Sequence, residues 1–228
     1  MATTVFTIAI LIVFMLCMIL GTLSSYEEKS RNIAVYSGSF DPLHIGHKAI
    51  IEEISKDYDW VYLMVTPQNP LKENKSSDVN TRINNAHNAL LRNELLNVTV
   101  SSIEREMLPP YYTIRTLDEL KKQTPFNEIT LVIGADNLQN IRGWKDYQRI
   151  LLEYGVLVFP RGDFNVSKLE LLKEDLLKEN SEYIIKINNT IIPNISSTEI
   201  RESIKNNNIL ELREEFIKNY YGESDERK

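Results

Sequence analysis

Cysteine is nearly missing from this 228-residue chain: the only one, Cys17, sits in an apolar run near the N-terminus. That excludes a disulfide framework and a thiolate metal site. Histidine is almost as scarce, with three in all, His44, His47 and His87. Two neighbouring imidazoles with no further Cys or His are too few for a zinc centre, so no metal site is expected. His87 falls in a helix-like stretch and reads as a surface or partly buried residue. Nor is there a cluster of Lys and Arg. The 26 basic residues are outnumbered by 32 acidic ones, a formal net charge of −6, so nucleic acid is not the expected partner. Internal repeats and low-complexity tracts are also absent. What is present is a 43% apolar share. At this length that suits one α/β domain of about 200 residues with a sizeable core.

One long stretch carries no charge at all, the 19 residues from Val5 to Leu23. As a helix rising about 1.5 Å per residue it is just long enough to span a bilayer core. Only Met1-Ala2-Thr3-Thr4 precede it, without the basic residues of a secretory signal, and Gly21-Thr22-Leu23-Ser24 is a poor cleavage site. Lys29 and Arg31 favour the cytoplasmic side for the C-terminal remainder of the chain. Three readings stand: a membrane anchor with the remainder cytoplasmic, a targeting segment, or a start placed upstream of the true domain, since Ile33 opens a complete domain unaided. Five Asn-x-Ser/Thr sequons occur, at Asn74, Asn97, Asn165, Asn188 and Asn194. A glycan on Asn194 would obstruct the motif beside it, which argues against a lumenal location.

From Ile33 the chain alternates between strand-like and helix-like segments. Strands are expected at Ile33–Ser37, Trp60–Thr66, Val98–Ser102, Glu128–Ile133, Gly155–Phe159 and Tyr183–Ile187. Helices are expected at Gly46–Lys56, Val79–Leu91, Thr113–Lys122, Asp146–Leu152, Leu169–Lys178, Ser197–Lys205 and Ile209–Tyr220. Such alternation implies a Rossmann-like doubly wound parallel sheet in a single α/β domain, preceded by an apolar N-terminal helix. The expected division is a leader or anchor with linker over residues 1–30, the domain over 31–222 and a polar tail over 223–228.

Two segments carry chemistry. Gly38-Ser39-Phe40-Asp41-Pro42-Leu43-His44-Ile45-Gly46-His47 follows the first strand and opens a helix. Two imidazoles three apart at a strand-to-helix junction can face one space, and helix N-terminal amides there favour phosphate. Such donors would meet charge developing on a phosphoryl group. Asp41 is expected to orient His47 or to set the turn, and not to bind metal. Near the far end lies Ile195-Ser196-Ser197-Thr198-Glu199-Ile200-Arg201. Its hydroxyls can cap a helix, and with Arg201 one turn in they also form a phosphate cradle.

These two segments resemble the HxGH and ISSTxIR signatures of the nucleotidylyltransferase superfamily. Between them lie Thr66-Pro67-Gln68-Asn69-Pro70-Leu71-Lys72, Glu104-Arg105-Glu106 with Tyr111-Tyr112-Thr113-Ile114-Arg115-Thr116-Leu117, Ile133-Gly134-Ala135-Asp136-Asn137-Leu138, Gly143-Trp144-Lys145 and Phe159-Pro160-Arg161. This ordered set is similar to one branch, the bacterial-type nicotinate-nucleotide adenylyltransferases, over Ile33 to Tyr221. There are two departures. Pro110-Tyr111 precedes Tyr112 where Ser is common, and Arg142-Gly143 stands where the branch has an apolar-Pro pair.

The resemblance implies transfer of AMP from ATP, taken with Mg²⁺, to nicotinate mononucleotide, giving deamido-NAD and pyrophosphate in NAD biosynthesis. It implies that His44 and His47 stabilise the transition state at the α-phosphorus, with Gly38, Ser39 and Phe40 also lining the ATP site. Ser196, Ser197, Thr198 and Arg201 would hold the β- and γ-phosphates, and Lys72 would meet a phosphate. Trp144 would stack on the nicotinate ring. Tyr112 and Thr113 would recognise its carboxylate through backbone N–H groups, and Asp136 would bind ribose hydroxyls. Alternatives are the same reaction on nicotinamide mononucleotide, a sibling transferring to phosphopantetheine or FMN, or a non-catalytic membrane-tethered nucleotide sensor, against which the intact His44, His47 and Arg201 argue.

Overall fold

The computed structural model describes residues 12–15, 30–68, 77–92, 95–162, 164–193 and 195–205. Lys72 and the expected closing helix 209–220 lie outside them, as does most of the apolar run 5–23. The chain divides into two compact units, Met1–Ser30 and Arg31–Lys228. In the first, residues 12–15 are helical and exposed. No helix among the described residues is long and apolar enough to cross a membrane.

The second unit is built on six parallel strands: β1 (Asn32–Gly38), β2 (Trp60–Val65), β3 (Val98–Ser101), β4 (Glu128–Gly134), β5 (Val156–Phe159) and β6 (Ile185–Ile187), in the order β3-β2-β1-β4-β5-β6. All six expected strands form. Alternate residues of each strand feed opposite cores, as the pleat requires. Ile33, Val35, Ile129, Leu131 and Ile133 join one cluster, while Ala34, Tyr36, Val61, Leu63 and Val132 join the other. Burial on both faces explains why these strands read as continuous apolar runs.

The helices divide between the faces. α1 (Ile45–Asp57) and α2 (Val79–Arg92) cover one, through Ile50, Ile51, Ile54, Ile83, Ala86 and Leu90. The other is covered by α4 (Thr113–Gln123) and α7 (Val166–Glu179), through Ile114, Leu117, Leu120, Leu169 and Leu176. Asp78 caps α2, accepting from the Thr81 amide at 3.0 Å, and Asn165 caps α7, accepting from Lys168 at the same distance.

Two short helices were not expected, α3 (Ile103–Glu106) and α5 (Ala135–Gln139), nor was the 3₁₀ turn Ile141–Gly143. Each is too short for periodicity to register. The expected helix Asp146–Leu152 is α6 (Tyr147–Arg149) running into a π turn, Ile150–Tyr154. Gly155 closes that turn at φ 71° instead of opening β5. A Cβ there would lie 2.7 Å from Ile184 Cγ2, so the position favours glycine on both counts. α8 (Ser197–Lys205) ends the described chain.

Candidate active site

Sheet order reverses between β1 and β4, and in open parallel sheets ligands collect in the crevice beyond the carboxyl ends at such a point. β1 delivers the Gly38–His47 segment there. His44 is the N-cap residue of α1, and the two histidines cap each other's backbone. The His44 amide donates to His47 Nδ1 at 3.2 Å, and the His47 amide donates to His44 Nδ1 at 3.4 Å. The rings stack 3.7 Å apart with planes 21° from parallel. An Nδ1 that accepts cannot carry the proton, so both neutral rings hold it on Nε2. His44 is only 2% exposed, yet its Nε2 has no partner. A buried orphan donor at a helix start is poised for an anionic oxygen.

Gly46 makes this stacking possible. A Cβ there would stand 3.1 Å from both His44 Cε1 and the Pro193 carbonyl oxygen. Phe40 takes φ 46°, the left-handed region that costs a non-glycine residue about 1 kcal/mol or more. Its buried ring lies 5.0 Å from His47 and 5.3 Å from Tyr36, so the side chain backs the His pair. Burial pushes His44 down to about 4, helped by the Arg161 cation. Burial, then His44, then Arg161 hold His47 well below its ordinary value. Both imidazoles are neutral donors at neutral pH.

The second motif is stitched to the first. Arg201 Nη1 donates to the Asp41 carbonyl, and Ser197 Oγ donates to the Pro42 carbonyl at 3.0 Å. Arg201 Nη2 also donates to Thr198 Oγ1 at 3.1 Å. Ser196 and Glu199 form a capping box: the Glu199 amide donates to Ser196 Oγ at 3.1 Å, and Glu199 Oε2 accepts from the Ser196 amide at 2.8 Å. The spacing of Ser196 and Glu199 carried that signal in the sequence. Thus Gly38, Ser39, Phe40, His44, His47, Ser196, Ser197, Thr198 and Arg201 come together across some 160 residues of chain.

The remaining site residues stand on the β4–β5 side and on α4. Tyr112 and Trp144 are half-buried against the larger core. The Tyr112 amide donates to the Pro110 carbonyl at 3.0 Å, so it is spent. Arg115 and Thr116 both donate to the Tyr112 carbonyl, which leaves the Thr113 and Ile114 amides leading the helix. Asp136 sits exposed in α5 just past Gly134. Its charge raises the buried Tyr36 phenol, though less than burial itself does.

Asp41 does not orient His47. Its carboxylate accepts from the Ser77 amide at 2.8 Å and the Ser77 hydroxyl at 2.7 Å, while the His44 amide holds His47. Four further residues had no role assigned from the sequence: Glu104, Arg161 and Glu199 stand within the motif segments, and Arg82 stands outside them. Arg82 is 1% exposed and donates to the carbonyls of Ser39, Thr66, Pro67 and Ser77, tying three loops beneath the site. Arg161 adds a cation beside both histidines and donates to the Ile195 carbonyl. Glu104 is buried, accepting from Thr116 Oγ1 at 2.7 Å with Oε2 unpaired. Glu199 completes the capping box. Among the described residues no group of three or more His, Cys, Asp or Glu could hold a metal.

The chain is similar to known proteins in sequence and in fold. Residues 35–203 match the family described as cytidylyltransferase-like. The chain belongs to that family. Its curated relatives place it in the nicotinate-nucleotide adenylyltransferase branch. The probable nicotinate-nucleotide adenylyltransferase of Flavobacterium psychrophilum is 34% identical over 177 residues, 76% of this chain and 86% of that protein. Its Flavobacterium johnsoniae counterpart is 33% identical over 176 residues, again 76% of this chain and 86% of the relative. In this cytidylyltransferase-like chain the fold is also that of a solved structure, Plasmodium falciparum nicotinic acid mononucleotide adenylyltransferase complexed with NaAD. The TM-score is 0.65 at 22% identity, over 81% of this chain and 89% of that one.

Proposed function

We propose that this protein joins nicotinate mononucleotide to ATP, releasing pyrophosphate and deamido-NAD. One observation carries the chemistry: the orphan His44 Nε2 faces a phosphate-competent helix start, with α8 and its Arg201 stitched alongside. The 5′-phosphate of the mononucleotide attacks the α-phosphorus of ATP in line. A new P–O bond forms, the bond to the β-phosphate breaks, and pyrophosphate leaves with its electron pair. No side chain becomes attached. Catalysis is positioning plus charge stabilisation.

In this reading the Nε2–H groups of His44 and His47 donate to the reacting phosphoryl oxygens. As neutral donors they need not lose a proton to begin. Backbone of Gly38, Ser39 and Phe40 lines the ATP, and Ser196, Ser197, Thr198, Arg201 and Arg161 meet its outer phosphates. Lys72 is assigned to a phosphate. ATP is taken as its Mg²⁺ complex, the metal neutralising phosphate charge. Trp144 stacks on the pyridine ring and Asp136 binds ribose hydroxyls. Beside Tyr112, the Thr113 and Ile114 amides receive the carboxylate. A helix N-terminus favours an anionic carboxylate over a neutral amide, which supports the acid as substrate.

The catalytic domain is assigned to residues 31–222, ahead of the polar tail 223–228. The uncharged run 5–23 supports a membrane tether holding that domain in the cytoplasm. Flotation of the full chain with vesicles tests this, and recovery wholly in the unbound fraction would refute it. The enzymatic test is pyrophosphate release by the full-length protein with Mg-ATP and nicotinate mononucleotide, nicotinamide mononucleotide or phosphopantetheine. Strong preference for the first is expected. Equal use of both mononucleotides would undo the carboxylate assignment, and release only with phosphopantetheine would overturn the function.

A further inference from the structure

Trp144 lies in the turn between the 3₁₀ turn and α6, and one carboxylate grips that turn from both sides. Glu179, the last residue of α7, accepts from Arg142 Nε through Oε1 at 2.6 Å. Its other oxygen, Oε2, accepts from the Tyr147 hydroxyl at 2.9 Å. Asp175 accepts from Arg142 Nη2 at 2.8 Å. Positions four apart on a helix share a face, so Asp175 and Glu179 present adjacent oxygens to one guanidinium. Arg142 precedes Trp144 by two residues and Tyr147 follows it by three.

Trp144 and Tyr147 also pack against the larger core, while the polar side of the turn is open to solvent. Arg142, Gly143 and Lys145 are exposed, and Asp146 takes φ 51°. Backbone bonds hold the two ends, the Gly143 and Trp144 amides donating to the Asn140 and Ile141 carbonyls and the Arg149 and Ile150 amides to the Asp146 carbonyl. A lone exposed ion pair contributes little, but a forked arginine on two carboxylates, with a phenol on the second, is a network of charge-assisted bonds.

We propose that Glu179, with Asp175, is a positioning residue for the acceptor subsite: by holding Arg142 and Tyr147 it sets where Trp144 meets the pyridine ring. This rests on the reading that Trp144 stacks on nicotinate mononucleotide. The clamp touches no substrate atom, so its loss acts on acceptor binding and leaves the phosphoryl chemistry alone.

The test is steady-state kinetics of the full-length Glu179→Ala enzyme. The KM for nicotinate mononucleotide is expected to rise about threefold to tenfold, with the ATP KM and kcat within about twofold of wild type. Glu179→Gln, which keeps an oxygen acceptor for Arg142 or Tyr147 but no charge, is expected to recover part of that loss, and the rise confined to the mononucleotide KM is what a merely structural role would not produce. Added salt should raise the wild-type KM for the mononucleotide more steeply than that of Glu179→Ala. An unchanged mononucleotide KM in Glu179→Ala overturns the proposal, as does a parallel fall in kcat and thermal midpoint. Trp144→Ala, assayed alongside, separates the failures. If it raises that KM while Glu179→Ala does not, the clamp falls and the acceptor assignment stands. If neither does, both fall.

Discussion

The two sides of the crevice are held by different physics. On the β1–α1 side the polar groups are buried or half-buried and fixed by backbone: two histidines capping each other, Arg82 spending its guanidinium on four carbonyls, Ser197 and Arg201 reaching the Asp41-Pro42 turn. On the Trp144 side the polar contacts are made by side chains at the surface, Arg142 and Tyr147 on Asp175 and Glu179, over rings half-buried against the core. Buried, backbone-anchored groups leave few alternative positions, whereas exposed ion pairs are soft and sensitive to salt. The first arrangement suits phosphoryl chemistry that tolerates little displacement, the second suits selection among acceptors.

The steepest way to break the comparison is His47→Ala. It removes one neutral donor and the stacking partner of His44, and kcat is expected to fall about 10²- to 10³-fold with the fold retained by circular dichroism. Arg82→Met comes next. It leaves four buried carbonyls without their donor, an expected loss of about 3 kcal/mol or more of unfolding free energy, read as a lower urea midpoint.

The pH dependence of stability sharpens the contrast. Unfolded His44 takes up a proton near the ordinary imidazole value of 6.5, but the folded residue does so only near 4. Between those values the unfolded state binds more protons, so this contribution is complete above pH 6.5 and is lost as pH falls towards 4. His44→Asn should flatten that limb of a melting-temperature profile. Glu104 works in the opposite sense. Burial raises its carboxyl above the ordinary value, with Thr116 lowering it less, so its contribution is lost as pH rises through the raised value. Glu104→Gln should gain on wild type as pH rises, and parallel curves would contradict the assigned shift. The smallest effect is expected at Gly143, where a Cβ would meet nothing within 4 Å. Gly143→Ala should change the unfolding free energy by no more than about 0.5 kcal/mol, read from the thermal midpoint.

The sequence made the fold legible because strands buried on both faces print as unbroken apolar runs bounded by Gly and Pro. The β1–α1 side was legible for a related reason: its chemistry sits in one contiguous segment whose spacing fixes its geometry. Arg82 was not legible. An arginine in an amphipathic helix reads as a solvated residue, and only the tertiary approach of the Ser39, Thr66 and Ser77 carbonyls makes it a buried tie. For Asp41 one of the two expected roles does not hold: its carboxylate accepts from Ser77 across a loop and not from His47, a long-range contact that no local spacing signals. The Arg142–Glu179 clamp joins residues 37 apart in sequence, beyond any local pattern.

The most direct test of this division is one kinetic comparison: kcat and both KM values for His47→Ala and Trp144→Ala in the full-length enzyme. The expected result is a split. His47→Ala loses kcat with the mononucleotide KM nearly unchanged, and Trp144→Ala raises that KM with kcat nearly unchanged. If both variants lose kcat to the same degree, or if Trp144→Ala raises only the KM for ATP, the two sides do not divide the work as described.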